Sequence, residues 1–309
     1  MPMHPLIAPL VPLLAAFPVL TGQTGGQQSS ETEVVGLQRD AMGRMTVPVR
    51  IAERGPYDFL IDTGSQNTVI STELAARLTL PAGKRARLVG VAGSTMVDTV
   101  ELDQLDLGKR SFYGLLAPLL DGRNIGADGI LGLDSLQGQR VVIDFEKRLM
   151  AIDDAKRPGA NRGFDIVVTA RRRSGQLIMT DAQLDGIWTD VVIDTGAENT
   201  IGNRALQRAL ERRHRKIDQF MLGSVTGQEI VADIGQGARL NVQDIDINNV
   251  MVAFADSPAF GALGLEQRPA ILLGMRELRV FKRVAIDFAT RRIYFDMPGG
   301  TSSGAGSRQ

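Results

Sequence analysis

The sequence predicts a mostly β protein built as two homologous lobes, and three observations predict it. The triplet Asp-Thr-Gly occurs twice, at 62–64 in FLIDTGSQNTVIS and at 194–196 in VVIDTGAENTIGN, each time closing an apolar run. An apolar-apolar-Gly signature follows in each half, Ile130-Leu131-Gly132 and Leu272-Leu273-Gly274. Between the two signatures each half carries a segment with glycines at a hairpin tip. At ordinary residue usage a chain of this length holds one chance Asp-Thr-Gly about once in ten to fifteen sequences. Two copies with matching neighbours (Ile61 with Ile193, Asn67 with Asn199, Thr68 with Thr200) therefore mark an internal repeat, and a repeat is settled before anything else.

Aligning the copies on Asp62 and Asp194 orders the elements. RMTVPVRIA and YDFLID precede the first Asp, and QLIMTDAQL and IWTDVVID the second; each pair reads as a hairpin whose second strand delivers the carboxylate. Helical patterns TELAARL and RALQRAL come next. The glycine-bearing segments LVGVAGSTMVD and MLGSVTGQEIVAD read as hairpins with small residues at the tip, Gly90, Val91, Ala92 and Gly93 in one and Gly223, Ser224, Val225 and Thr226 in the other. LDQLDLGKRSF and VQDIDINNVMV are strands around a turn. Each half ends on a helical turn and a strand pair through Ile143-Asp144-Phe145 or Ile286-Asp287-Phe288. The resulting boundaries are a leader and flexible tether at 1–33, a first lobe at 34–153, a linker at 154–162, a second lobe at 163–298 and a Gly/Ser-rich tail at 299–309.

Composition narrows the chemistry. The 309 residues include 35 Lys plus Arg and 35 Asp plus Glu, so the chain is neutral and makes no general case for nucleic acid or an anionic membrane surface. The basic runs at 171–173 and 212–216 read as solvated faces. There is no Cys, which excludes thiol catalysis, disulfides and Cys-based zinc sites. The two His residues are His4 in the leader and His214 in a charged run, a poor basis for a Ser-His hydrolase. The apolar, uncharged first twenty residues have the length of a signal-peptide core with flanks but lack a basic start. Their prolines argue against a stable spanning helix. The expectation is an exported protein, periplasmic or secreted, with tethering by an uncleaved leader as the variant.

The apolar strand ending in Asp-Thr-Gly, the glycine-tipped hairpin and the later apolar-apolar-Gly resemble the aspartic peptidases. The ending DGILGLDSL…VVIDF is similar to that of the bacterial retropepsin-like aspartyl proteases. The resemblance covers roughly 38–298 in two copies and implies two retropepsin-like barrel lobes forming a pseudo-twofold dimer with a cleft between them. It implies an aspartic endopeptidase, with no cofactor and no metal, acting on an extended peptide or protein substrate as a monomer whose second half replaces a partner subunit. Asp62 and Asp194 would be the catalytic pair. Two adjacent carboxylates cannot both ionise, so one serves as base and the other as acid, as in aspartic peptidases generally. Gly64 and Gly196 would leave room for a tight turn whose N–H groups reach the carboxylates. By the same resemblance Thr63 and Thr195 would each hydrogen-bond into the opposite lobe, and Gly132 and Gly274 would let the later strand pack under the Asp loop. The hairpin tips are candidate flaps, although the aromatic flap residue of pepsin-like enzymes is absent from GVAGSTMVD. The copies differ at the next position, Ser65 against Ala197. A Ser65 hydroxyl donating to Asp62 would favour its charged form and leave the shared proton on Asp194.

Other readings are weaker. Residues 62–68 and 194–200 also fit the loose phosphate loop of actin-like ATPases and sugar kinases, but no adenosine-binding segment accompanies them. DIDIN at 244–248 starts like an EF-hand loop, yet Asn249 and Ala255 occupy positions that calcium binding reserves for Gly and Glu. The main alternative keeps the fold and drops the chemistry: a peptidase-like peptide-binding module.

Overall fold

The computed structural model describes residues 32–39, 44–136, 138–154, 163–210 and 218–298. Most of the expected leader and tether, residues 155–162 of the expected linker, the tail and the basic run with His214 lie outside the described residues. Asp154, assigned to the linker from sequence, instead ends the strand Leu149–Asp154.

The architecture is mostly β, in two tandem lobes. In the first lobe the hairpin Met45–Ile51/Arg54–Ile61 forms as expected, with Val47, Val49 and Ile51 turned into the core. The strand Arg54–Ile61 runs parallel to Gly129–Leu131, which continues through Val69–Ser71, Arg110–Leu120 and Thr99–Leu107. Thr99–Leu107 returns to Met45–Ile51 through Arg50↔Asp106 and Ile51↔Leu105, closing a six-stranded barrel. Closure leaves no open edge among these six strands.

The second lobe repeats this path with one difference. The expected hairpin QLIMTDAQL/IWTDVVID is broken into Gln176–Met179, Ala182–Leu184, Ile187–Trp188 and Asp190–Ile193. The break lets one segment serve two neighbours: Gln176–Met179 pairs with Asp190–Ile193, and Ala182–Leu184 pairs with Glu229–Val242. Asp185, at the turn with φ 50°, accepts from the N–H groups of Ala238 and Arg239 at 3.0 and 2.8 Å and holds the corner.

Both expected helices form, Thr72–Leu78 and Arg204–Leu210. Ser71 Oγ accepts from the Leu74 N–H at 3.1 Å, and Asn203 Oδ1 from the Leu206 N–H at 2.8 Å. Such N-caps are worth about 1 kcal/mol each. The leucines at 74 and 78, and at 206 and 210, lie one turn apart and are buried.

The lobes are joined by a six-stranded sheet ordered Glu33–Gly36, Leu149–Asp154, Gln139–Asp144, Arg283–Asp287, Arg292–Asp296, Ile166–Thr169. Its centre is the antiparallel pair Gln139–Asp144/Arg283–Asp287. There Arg140 faces Asp287 and Asp144 faces Arg283, so the repeat relates the two ends of the ladder. Each strand of this pair comes from the end of one lobe.

Candidate active site

Each Asp stands at the end of a buried strand and is anchored from behind in the same way. The Asp62 N–H donates to Leu131 O at 3.1 Å, and the Asp194 N–H to Leu273 O at 3.0 Å. The returning chain is stitched to the turn by Leu133 N to Ser65 O (2.9 Å) and Asp134 N to Gln66 O (3.1 Å). The second lobe matches with Met275 N to Ala197 O (2.9 Å) and Arg276 N to Glu198 O (3.0 Å). Gly132 and Gly274 make this possible. A Cβ on Gly132 would lie 2.4 Å from the backbone carbonyl of Asn67, and one on Gly274 2.6 Å from the carbonyl carbon of Asn199.

Thr68 and Thr200 carry the next layer. Thr68 Oγ1 donates to Asp134 Oδ1 at 2.7 Å and accepts from the Gly132 N–H at 3.2 Å. Thr200 Oγ1 likewise donates to Glu277 and accepts from the Gly274 N–H at 3.0 Å. Both threonines are fully buried, so this hydroxyl is the partner that satisfies the glycine N–H. The sequence showed them only as matching letters of the repeat; their burial is what reveals the task.

Thr63 and Thr195 cross between lobes. Thr63 Oγ1 donates to Ile193 O at 2.9 Å and Thr195 Oγ1 to Ile61 O at 2.8 Å. The N–H of Thr63 reaches Thr195 Oγ1 at 3.0 Å, and that of Thr195 reaches Thr63 Oγ1 at 3.2 Å. Four buried hydrogen bonds thus clamp the two turns face to face.

The clamp brings the carboxyl groups of Asp62 and Asp194 within hydrogen-bond reach of each other. Gly64 and Gly196 permit it by their lack of a side chain. Neither adopts positive φ; each presses its bare Cα against the opposite carboxylate. A Cβ on Gly64 would sit 2.8 Å from Asp194 Oδ1, and one on Gly196 2.3 Å from Asp62 Cγ. Their N–H groups do reach the carboxylates of their own loops, at 2.7 Å to Asp62 Oδ1 and 3.1 Å to Asp194 Oδ1.

The pair is electrically unequal. Burial raises the pKa of both carboxyls. For Asp62 the N–H groups of Gly64 and Ser65 and the charge of Arg44 pull back against burial. For Asp194 the neighbouring Asp62 adds to burial, and its carboxyl is pushed up to about 8. Asp194 is also the less open of the two, at 6% exposure. The shared proton belongs on Asp194, donated toward Asp62.

The expected cause of this inequality is corrected. Ser65 Oγ donates to Asn67 O at 2.8 Å, away from Asp62, and it is the Ser65 backbone N–H that reaches Asp62 Oδ1, at 3.0 Å. A local turn bond to a carbonyl two residues on has taken the hydroxyl. Ser65→Ala should accordingly leave the acid limb of the kcat/KM–pH profile in place. A rise of half a pH unit would return the hydroxyl to the carboxylate.

The candidate flaps are hairpins, Ala86–Val89/Ser94–Val97 and Asp218–Gly223 with the start of Glu229–Val242. Their tips meet. A Cβ on Gly90 would lie 2.6 Å from Ser224 Oγ, and Gly93 packs as closely on Gln228. Each tip also leans on the other lobe. Val91 packs against the second-lobe cluster around Ile178, Val192 and Phe260, and Val225 against the first-lobe cluster around Leu60, Ile125 and Ile130. Ala92 completes the first tip and Thr226 the second, whose left-handed residue is Gly227 (φ 75°); Gly223 only ends a strand, with open space about it. Sequence reading missed Gln228, Arg44 and Gln176. Arg44 and Gln176 align across the repeat, and that unlike pair was the available signal.

No curated protein matches the chain. A model of the aspartyl protease family matches residues 47–135 and, a second time, 180–276, together more than half of the sequence. Each match takes in one Asp-Thr-Gly turn and the apolar-apolar-Gly strand that braces it. The chain belongs to the aspartyl protease family, in a retropepsin-like form with one family domain in each of two tandem lobes.

Proposed function

We propose that the protein is an aspartic endopeptidase whose catalytic groups are Asp62 and Asp194, one from each lobe. The observation that carries this reading is the meeting of the two buried carboxyls, clamped by reciprocal threonine bonds. A water held between them loses a proton to Asp62 as its oxygen attacks the scissile carbonyl carbon, while Asp194 donates its proton to the carbonyl oxygen. Collapse of the tetrahedral intermediate breaks the C–N bond: the proton taken by Asp62 goes to the departing nitrogen, and one hydroxyl proton of the intermediate returns to Asp194 as the carbonyl re-forms. The substrate lies extended under the two hairpins, adding a strand to them, with alternate side chains against the apolar clusters of either lobe.

The test is incubation with a peptide library and mass-spectrometric reading of the products, with Asp62→Asn as control. Internal cleavages absent from the control support the reading. Binding of peptides without any cleavage, across the acid and neutral range, would replace it with the binding module. Because both halves of the pair reside in one chain, specific activity should stay constant on dilution through the range in which any dimer dissociates. A steep, reversible loss would show that a second chain completes the site.

A further inference from the structure

The alignment that superposes Asp62 on Asp194 superposes Arg44 on Gln176, where each lobe enters its first barrel strand. Both side chains are buried, at 6% and 5% exposure. Gln176 Nε2 donates to the carbonyl of Gly64, so this position reaches into the active-site turn of the opposite lobe. Arg44 Nη2 donates to Ile125 O, inside the apolar cluster that also contains Leu60, and its charge acts on Asp62. One lobe thus places a cation where the other places a neutral amide, in a site otherwise built symmetrically.

We propose that Arg44 is a positioning residue that decides which member of the pair carries the charge: its buried guanidinium, opposed by neutral Gln176, keeps the negative charge on Asp62 and the proton on Asp194. This rests on the endopeptidase reading for its kinetic consequence but not for its electrostatics. Among the described residues, the charged groups facing Asp62 are Asp194 across the clamp and Arg44, which immediately precedes the adjoining strand Met45–Ile51. Asp134 and Glu277, beneath the two turns, are bound by Thr68 and Thr200. The turn N–H groups act on both sides, at 2.7 and 3.0 Å on Asp62 and at 3.1 Å on Asp194, and to them the Arg44/Gln176 pair adds a difference in formal charge between the lobes. A guanidinium cannot lose its proton in the working range, so the bias persists at every pH at which the pair titrates.

The acid limb of kcat/KM reports protonation of the charged member of the pair in the free enzyme. Arg44→Gln should move that limb to higher pH by about one unit or more, the usual effect of losing an opposite charge beside a carboxylate. Arg44→Lys should bring it back. A folded Arg44→Gln protein with the wild-type acid limb would overturn the proposal. So would a limb shifted equally by Arg44→Gln and Arg44→Lys, which would mean the shape of the side chain matters and its charge does not. Carboxyl ¹³C NMR on aspartate-labelled protein needs no substrate. In an Asp194→Asn background, where Asp62 titrates alone, Arg44→Gln should raise the Asp62 titration midpoint, and an unmoved midpoint refutes the assignment. That arm holds even if no peptide is ever cleaved, which separates failure here from failure of the endopeptidase reading. Should Arg44→Gln not fold, Gln176→Arg supplies the converse. In an Asp62→Asn background it should lower the Asp194 midpoint, and an unchanged midpoint would show that a charge at this position does not reach the pair.

Discussion

Asp62→Asn and Asp194→Asn should each lower kcat for peptide cleavage by about 10³–10⁴-fold, the scale of a positioned acid or base, and the double variant should be little worse than either. The pair acts as a unit: a base without its acid partner, or the reverse, leaves the water unactivated or the carbonyl unpolarised, so the losses do not add. Initial rates of a fluorogenic peptide for the three variants check this. A single variant within tenfold of wild type would remove that carboxylate from the mechanism. Unfolding cannot counterfeit the result, because melting temperature should move the other way. The Asp194 carboxyl is pushed from 3.8 up to about 8 in the folded protein. Its contribution to stability is therefore complete below about pH 3.8 and drains away as pH rises toward about 8. Asparagine does not titrate and escapes this loss. Asp194→Asn should melt above wild type at pH 7 and close to it near pH 4. A variant that melts lower at both pH values would point to a structural role for the carboxyl.

Gly196→Ala should cost about 10²-fold in kcat, comparable to displacing a reacting group by an ångström. The added methyl would stand 2.3 Å from Asp62 Cγ, and that carboxylate cannot swing aside without breaking its bonds from the N–H groups of Gly64 and Ser65. The turns must separate instead, which lengthens the carboxyl–carboxyl contact and strains the threonine clamp. Gly64→Ala meets Asp194 at 2.8 Å and should be the milder of the two. Gly261→Ala is the control: nothing lies within 4 Å of its Cβ position, it sits in the short helix Pro258–Ala262, and activity should not change. Equal activity of Gly196→Ala and Gly261→Ala would mean that the two loops are not in the close contact described.

What is local or repeated was legible in the sequence: the two lobes, the Asp-Thr-Gly turns, the helices Thr72–Leu78 and Arg204–Leu210 and the glycine-tipped hairpins. Periodicity and turn glycines act over a few positions, and duplication printed each signal twice. The bracing glycines Gly132 and Gly274 were legible for the same reason, since a Gly in the same place in both halves implies a close approach. What depends on partners far apart in the chain was settled by the folded chain. The pairing of Gln139–Asp144 with Arg283–Asp287, the packing of each hairpin tip on the opposite lobe and the approach of Arg44 to Asp62 have no local pattern. Ser65 marks the boundary between the two. Its side chain could donate to the carboxylate of Asp62 or to the carbonyl of Asn67, and sequence separation favours neither. The path of the chain through the turn puts the carbonyl at 2.8 Å and leaves the carboxylate to the backbone N–H. Arg44 adds to the inequality of the pair alongside the turn N–H groups, because a charge buried in a low-dielectric interior acts beyond hydrogen-bond reach.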